Sequence, residues 1–332
     1  MRAAVYFKYG SPDRISIAGV EKPTPKAGEV LVQVRAASLN AYDWRLLEAD
    51  PFFTRFLSGL LKPKNNILGA DIAGVVVAVG DGAARFKVGD EVYGSLEGCG
   101  KGGLAAGGFA EYACAKESAL APKPNALSFE ESAALPMAAV TALQAVRDSA
   151  KLQHGQSVLI NGASGGVGMF AVQIAKAYGA QVTGVCSTGG IETVRSLGAD
   201  RLIDYMKENA VDGDKQYDVV IDVAATLSVK DCRRALKPNG VCVVVGFSTI
   251  RHLVSCNLAG RSDGKKIIIC TSNSKNSDDL LELNKLAEAG RLKVAIDSRY
   301  NLNKTAEAMR RIESGHPKGK IIITMEGGRP VT

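Results

Sequence analysis

The chain has 332 residues, 46% of them hydrophobic and 23% charged, with a formal net charge of +7. That length predicts two domains, and the composition excludes a disordered polymer, a collagen-like fibre and a small disulfide scaffold. The positive charge is dispersed; it suits an anionic ligand or an anionic membrane surface, and no nucleic-acid motif accompanies it.

Met1 runs straight into an apolar stretch that reads as a first strand, so no cleavable leader is expected and the expected compartment is cytoplasmic. Residues 1–125 read as one domain. Short β-type runs at 30–34, 72–79 and 91–93 are punctuated by Gly, Pro and Asp, which predicts a compact barrel. Residues 98–108, GCGKGGLAAGG, are nearly free of side chains and predict a flexible loop. Trp44, Phe52, Phe53 and Phe56 line either an apolar entrance or the core. The longest apolar stretch, 132–146, is broken by Pro136, Thr141 and Gln144 and is too short to span a bilayer.

Residues 126–267 read as a second domain. At 158–178 the chain runs VLINGASGGVGMFAVQIAKAY. An apolar strand enters a glycine turn, and the turn opens a helix whose apolar side chains recur at Val167, Phe170, Ala171, Ile174, Ala175 and Tyr178. Strand, glycine turn and helix together form the phosphate-binding half of a dinucleotide site. Gly162, Gly165, Gly166 and Gly168 let the backbone come close to a pyrophosphate, and the helix N-terminus turns its unpaired N–H groups to the same place. Ala163 stands where the motif has its first glycine. Ser164 adds a hydroxyl, and Gly165, Gly166 and Val167 complete the cofactor-binding turn.

The second strand, 181–186, ends at Ser187-Thr188. An NAD site places an Asp or Glu there for the ribose 2′-OH. Two hydroxyls with Arg195 nearby accept a 2′-phosphate instead, so the expected cofactor is NADPH. Further strands at 201–203, 218–223, 241–245 and 267–271 alternate with helices, which predicts a parallel, doubly wound sheet. Ligands bind at the carboxyl ends of such strands, which adds Val223, Ala224, Gly246, Phe247 and Ser248 to the cofactor site. Residues 268–332, with a leucine stripe at 280–287 and a strand at 321–323, are expected to complete the first domain. Seven cysteines, at 99, 114, 186, 232, 242, 256 and 270, are odd in number and scattered, which argues for a reducing compartment.

Together, several stretches resemble the medium-chain dehydrogenase/reductase superfamily over nearly the whole length. They are GADIAG (69–74), FKVGDEVYG (86–94), GFAEY (108–112), LGAD (197–200), GKIII (319–323) and the turn at 162–168. Within it, SLN (38–40) with Asp43-Trp44, ALP (134–136), TALQ (141–144) and AIDS (295–298) resemble the zinc-free quinone oxidoreductases, including those of the chloroplast envelope, and the plant alkenal/enone reductases. The resemblance implies an α/β protein: a GroES-like β-barrel domain plus a doubly wound Rossmann domain, with the active site in a cleft between them. It implies an NADPH-dependent reductase of quinones or α,β-unsaturated carbonyls.

Zinc members of the superfamily carry Cys and His where this chain has Asn40 and Ala70, and a cluster of four cysteines it lacks. The three histidines, 154, 252 and 316, belong to no metal motif and read as structural or solvated. By resemblance, Asn40 faces the nicotinamide and is catalytic, Thr141 lies near the ring, and Tyr205 lies beside the 2′-phosphate. Tyr42 is a candidate donor to substrate, and Asp43 a structural acid. No lysine stands near Gly190, where some members have one. The resemblance adds a plastid-envelope location, peripheral membrane association and a homodimer as further expectations. Two alternatives stay open: an enoyl-thioester reductase on the same fold, and a cofactor-binding protein with a non-catalytic membrane or RNA role.

Overall fold

The computed structural model describes the chain except for residues 53, 105, 212–215, 247–249, 260, 263, 271–272, 274–276, 316 and 326–332. It divides into two compact units. The first holds Met1–Met137, Ser274–Glu288 and Ile296–Thr332; the second holds Ala138–Asn273 and Ala289–Ala295.

The first unit is built on a long strand, Glu29–Leu39. Its residues Glu29 to Gln33 pair with Lys116 to Tyr112, and Ala36 to Leu39 pair with Thr324 to Ile321, so one strand serves two neighbours in succession. On its other edge lies Asp71–Val79, with register shifts at Leu31/Val32 and Val34/Ala36. Such irregularities bend a strand and curl its sheet, as a barrel requires. Alternation then places Val30, Val32 and Val34 in one core with Ile72, Val76, Val92, Phe109, Leu120, Ile321 and Ile323. Arg2–Val5 pairs antiparallel with Ser16–Gly19. Residues 98–108 carry no strand among their described residues, only a short 3-10 turn at Lys101–Gly103.

The expected boundary near 125 falls short of the observed one. Helix Phe129–Ala133 is capped by a reciprocal Ser128–Glu131 box and packs on strands Glu29–Leu39 and Asp71–Val79, which keeps it in the first unit.

The second unit is a seven-stranded sheet. In spatial order the strands are Arg201–Asp204, Gln181–Cys186, Ser157–Asn161, Tyr217–Asp222, Leu236–Val245, Lys265–Cys270 and Arg261–Ser262. All pairings are parallel except the last. Leaving out the short edge strand, the order by chain position is 3-2-1-4-5-6, the dinucleotide-binding order, with its reversal beside Ser157–Asn161. The last long strand runs to Cys270, so the sheet continues past the expected boundary at 267. Residues 289–295 also belong here: Lys293 N–H donates to Gln173 Oε1 at 2.7 Å, and Gln173 Nε2 donates to the Lys293 carbonyl at 2.9 Å. Leu159, Val185, Val220, Leu236, Val244 and Ile267 form the core, with Cys232, Cys242 and Cys256 packed as small hydrophobes. All seven cysteines are free. Among the described residues no helix is long and apolar enough to cross a membrane.

Candidate active site

In the second unit, strand Ser157–Asn161 passes into the glycine turn, and helix Gly168–Ala177 leaves it. Ser164, Gly165, Gly166 and Val167 are partly exposed, whereas the strand before them and the helix after them are buried. The tight-turn role falls to Gly162, whose φ of +83° is a glycine conformation. Ala163 can therefore replace a glycine. A Cβ at Gly168 would lie 2.0 Å from the Gly162 carbonyl oxygen, so this glycine permits the helix to pack on the strand end. A Cβ at Gly165 would meet only that same oxygen, at 3.3 Å. This bare cradle at a helix N-terminus fits a pyrophosphate.

Val223, Ala224 and Gly190 lie against this turn. The Val223 and Ala224 N–H groups donate to the Asn161 carbonyl, and Ala224 is the nearest group to a Cβ built on Gly162. Asn161 Nδ2 donates to Asp222 Oδ1 at 2.7 Å and to Thr226 Oγ1 at 2.9 Å, which holds this loop against the turn. Burial pushes the Asp222 carboxyl up, and hydrogen bonds from the Leu227 N–H, Asn161 Nδ2 and the Thr226 N–H draw it back. A Cβ at Gly190 would strike Ser164 at 2.8 Å, so the Ser187-to-Gly190 turn touches the glycine turn. Tyr205 N–H donates to the Cys186 carbonyl, which brings Tyr205 to the end of the second strand; its side chain is exposed. Thr141 lies buried in helix Pro136–Gln144, and Gly246 (φ +76°) ends its strand. Phe247 and Ser248 lie outside the described residues.

One acid was not anticipated. Asp204 arrives from the neighbouring parallel strand, opposite Cys186, and accepts the Thr188 hydroxyl at 2.6 Å. That hydrogen bond holds the Asp204 carboxyl below its ordinary range. Thr188 has one hydroxyl hydrogen, and it is committed. Arg195 is 60% exposed and stands 3.6 Å from Glu192.

In the first unit, Asn40 precedes helix Ala41–Glu48. Its backbone N–H donates to Asp43 Oδ2 at 2.9 Å, and Gly69 N–H donates to Asp43 Oδ1 at 3.0 Å. The Asn40 side chain is held at both ends. Nδ2 donates to Asp71 Oδ2 at 2.9 Å, and Oδ1 accepts the Lys320 ammonium. Asp71 Oδ2 also accepts from Ser38 Oγ and Met137 N–H, while Asp71 Oδ1 is buried with no hydrogen-bond partner among the described residues. Burial pushes both carboxyls up, Asp43 to about 7, and pushes the Lys320 ammonium down against the pull of the two acids. Tyr42 and Trp44 are partly buried against the core. Phe52 and Phe56 are 62% and 69% exposed, which rules out core packing for these two; Phe53 lies outside the described residues.

His154 is exposed in a turn, His252 Nε2 lies 3.1 Å from the Leu227 carbonyl oxygen, and His316 is outside the described residues. Among the described residues no three His, Cys, Asp or Glu side chains are grouped to hold a metal. A cation already sits on Asn40, so the residues at the expected ligand positions do not fit a zinc ion.

A family described as "Alcohol dehydrogenase GroES-like domain" matches residues 26–125, and one described as "Zinc-binding dehydrogenase" matches 197–323. The chloroplast envelope quinone oxidoreductase homologue of Arabidopsis thaliana is 33% identical, over 97% of this chain and 98% of its own. The chain belongs to the quinone oxidoreductase family of medium-chain dehydrogenases/reductases. A second member, the chloroplastic NADPH-dependent alkenal/one oxidoreductase of Arabidopsis thaliana, is 33% identical over 97% of this chain and 79% of its own. The quinone oxidoreductase of Coxiella burnetii has the same fold, with a TM-score of 0.84, 28% identity and coverage of 98% and 99%. This quinone oxidoreductase-family chain is an oxidoreductase with a nicotinamide-nucleotide fold.

Proposed function

We propose that the protein reduces quinones or α,β-unsaturated carbonyls by hydride transfer from NADPH, with no metal in the step. The observation that carries this reading is the Asn40 side chain, fixed by Asp71 and Lys320 where a metal-dependent relative has a ligand. Relatives named for quinone and alkenal/one reduction support it. Bound NADPH supplies the hydride. Gly165, Gly166 and Val167 hold the pyrophosphate, and Ser164 adds a hydroxyl to the same turn. As hydride reaches a quinone, or the β-carbon of an enone, negative charge grows on the substrate oxygen. Asn40 Nδ2 carries two hydrogens. Asp71 takes one, and the other is the donor that stabilises this charge. Solvent returns the proton, giving the hydroquinone or the saturated carbonyl.

The preference for NADPH over NADH rests on Ser187 in place of an acid, with Arg195 and Tyr205 near the 2′-phosphate. Asp204 works against it by occupying Thr188, so the preference is expected to be modest. The exposed Phe52 and Phe56 support an apolar substrate. The test is a turnover panel with NADPH and NADH against quinones, alkenals, enones, acyl-thioesters and, in reverse, simple alcohols. Quinone or enone turnover with NADPH is expected. Alcohol oxidation without it, or selective acyl-thioester turnover, would overturn the reading.

A further inference from the structure

Lys320 is 3% exposed, and a lysine this buried needs a reason. Among the described residues no salt bridge supplies it: the one hydrogen bond described for its Nζ goes to a neutral amide oxygen, that of Asn40. Asp71 and Asp43 act on the ammonium through space, against a larger desolvation penalty. The placement follows from the strand register. Ile321 pairs with Leu39 in the antiparallel ladder, so the next step sets Lys320 opposite Asn40.

We infer that Lys320 is a positioning residue that locks the Asn40 amide in one orientation and polarises its remaining N–H toward substrate. The inference rests on the reductase reading above. A free asparagine amide interchanges its oxygen and nitrogen by a half-turn at little energetic cost. Here a half-turn would set the NH2 group against the Lys320 ammonium and the carbonyl oxygen against the Asp71 carboxylate. Both contacts are repulsive, and both are buried, where such contacts are strong. Only one orientation survives, with Oδ1 facing inward to Lys320 and one Nδ2 hydrogen left for a substrate oxygen. The ammonium also draws electron density through the amide, which makes that hydrogen a stronger donor. A positive charge thus acts on the substrate oxygen at one remove.

The experiment compares wild type with Lys320→Met and Lys320→Gln. Lys320→Met keeps the length and removes the charge and the donor. Its kcat for quinone or enone is expected to fall about 10- to 100-fold, approaching the loss of one oxyanion donor. The dissociation constant for NADPH, read by fluorescence titration, stays within twofold of wild type. The Asn40 side-chain amide resonances in a nitrogen–proton spectrum shift and broaden as the amide gains a second orientation. Lys320→Gln retains an N–H donor without charge and should lose less kcat than Lys320→Met. If Lys320→Met does not fold, the test falls to Lys320→Gln, with a drop of at least threefold in kcat at unchanged NADPH affinity expected. Wild-type turnover with kcat unchanged in the folded variants overturns the inference and leaves the reductase reading intact. Absence of any wild-type turnover overturns the reductase reading, and the amide resonances then still decide whether Lys320 locks Asn40.

Discussion

The turn at 162–168 holds two glycines whose replacement should fail in different ways. At Gly168 an added Cβ would lie 2.0 Å from the Gly162 carbonyl oxygen, 2.8 Å from the Gly162 carbonyl carbon and 2.9 Å from Ala163 Cα. All three are backbone atoms, so no side chain can swing aside. Overpacking of this kind destabilises by about 1–3 kcal/mol. Gly168 is the first residue of its helix, where the interior helix preference of alanine recovers little, so the net loss stays at about 1–3 kcal/mol. In a unit of this size that lowers Tm by roughly 2–12 °C. At Gly165 the only contact among the described residues is the Gly162 carbonyl oxygen at 3.3 Å, a tight approach that asks for a shift of a few tenths of an ångström, and φ is unstrained. Gly165→Ala should therefore cost less than Gly168→Ala, about 1 kcal/mol or less, and melt within about 4 °C of wild type. On the proposed cofactor site, however, its methyl group stands where the pyrophosphate would approach the backbone, and NADPH affinity should fall tenfold or more, on the order of 1.4 kcal/mol. Differential scanning fluorimetry and NADPH fluorescence titration on both variants separate the two effects. Unchanged NADPH affinity in Gly165→Ala would refute the assignment of this turn to the pyrophosphate. An unchanged Tm in Gly168→Ala would refute the packing argument.

Two further outcomes follow from the buried acids and the second strand's end. Asp43 titrates near 7 in the folded chain, raised by burial and by Asp71, against an ordinary value of 3.8. A raised folded pKa contributes stability that is fully present below the unfolded value and is lost progressively until pH reaches the folded value, with no further change above it. The urea midpoint should thus drop between about pH 4 and 7 and level off above, and Asp43→Asn, though less stable overall, should show a shallower drop; equal slopes would exclude Asp43 as the source. Ser187→Asp should invert the cofactor preference toward NADH, while Arg195→Ala, acting from an exposed position beside Glu192, should weaken NADPH only about two- to fivefold and leave NADH unchanged in paired titrations.

The parts of this site that are local in sequence are the parts that could be read from it. The glycine turn announces itself because strand, turn and helix follow one another within 21 residues. The parallel sheet follows from strands alternating with helices, and the domain boundaries slipped where a helix, a strand end and the segment 289–295 packed on the less obvious partner. Asp204 is not legible from the second strand, where a ribose-binding acid is expected. It comes from the third, which parallel pairing sets opposite Cys186. Strand Ile296–Asn301 escaped because its alternation of polar and apolar residues is weak. Lys320 was invisible for a stronger reason. In sequence it is the charged residue opening an apolar strand, a position that ordinarily faces water. Its burial depends on Asn40, 280 residues away, and on two aspartates that stand in a helix cap and at a strand start. No local pattern encodes that arrangement. It becomes legible only when the antiparallel ladder from Thr324 to Ile321 is laid beside Ala36 to Leu39 and continued by one step. At that step an amide that the resemblance set in place of a metal ligand, facing the nicotinamide, gains a cation of its own. The chemistry of this site is thus a property of strand register, and shifting that register by one residue would turn Lys320 to the opposite face and undo it.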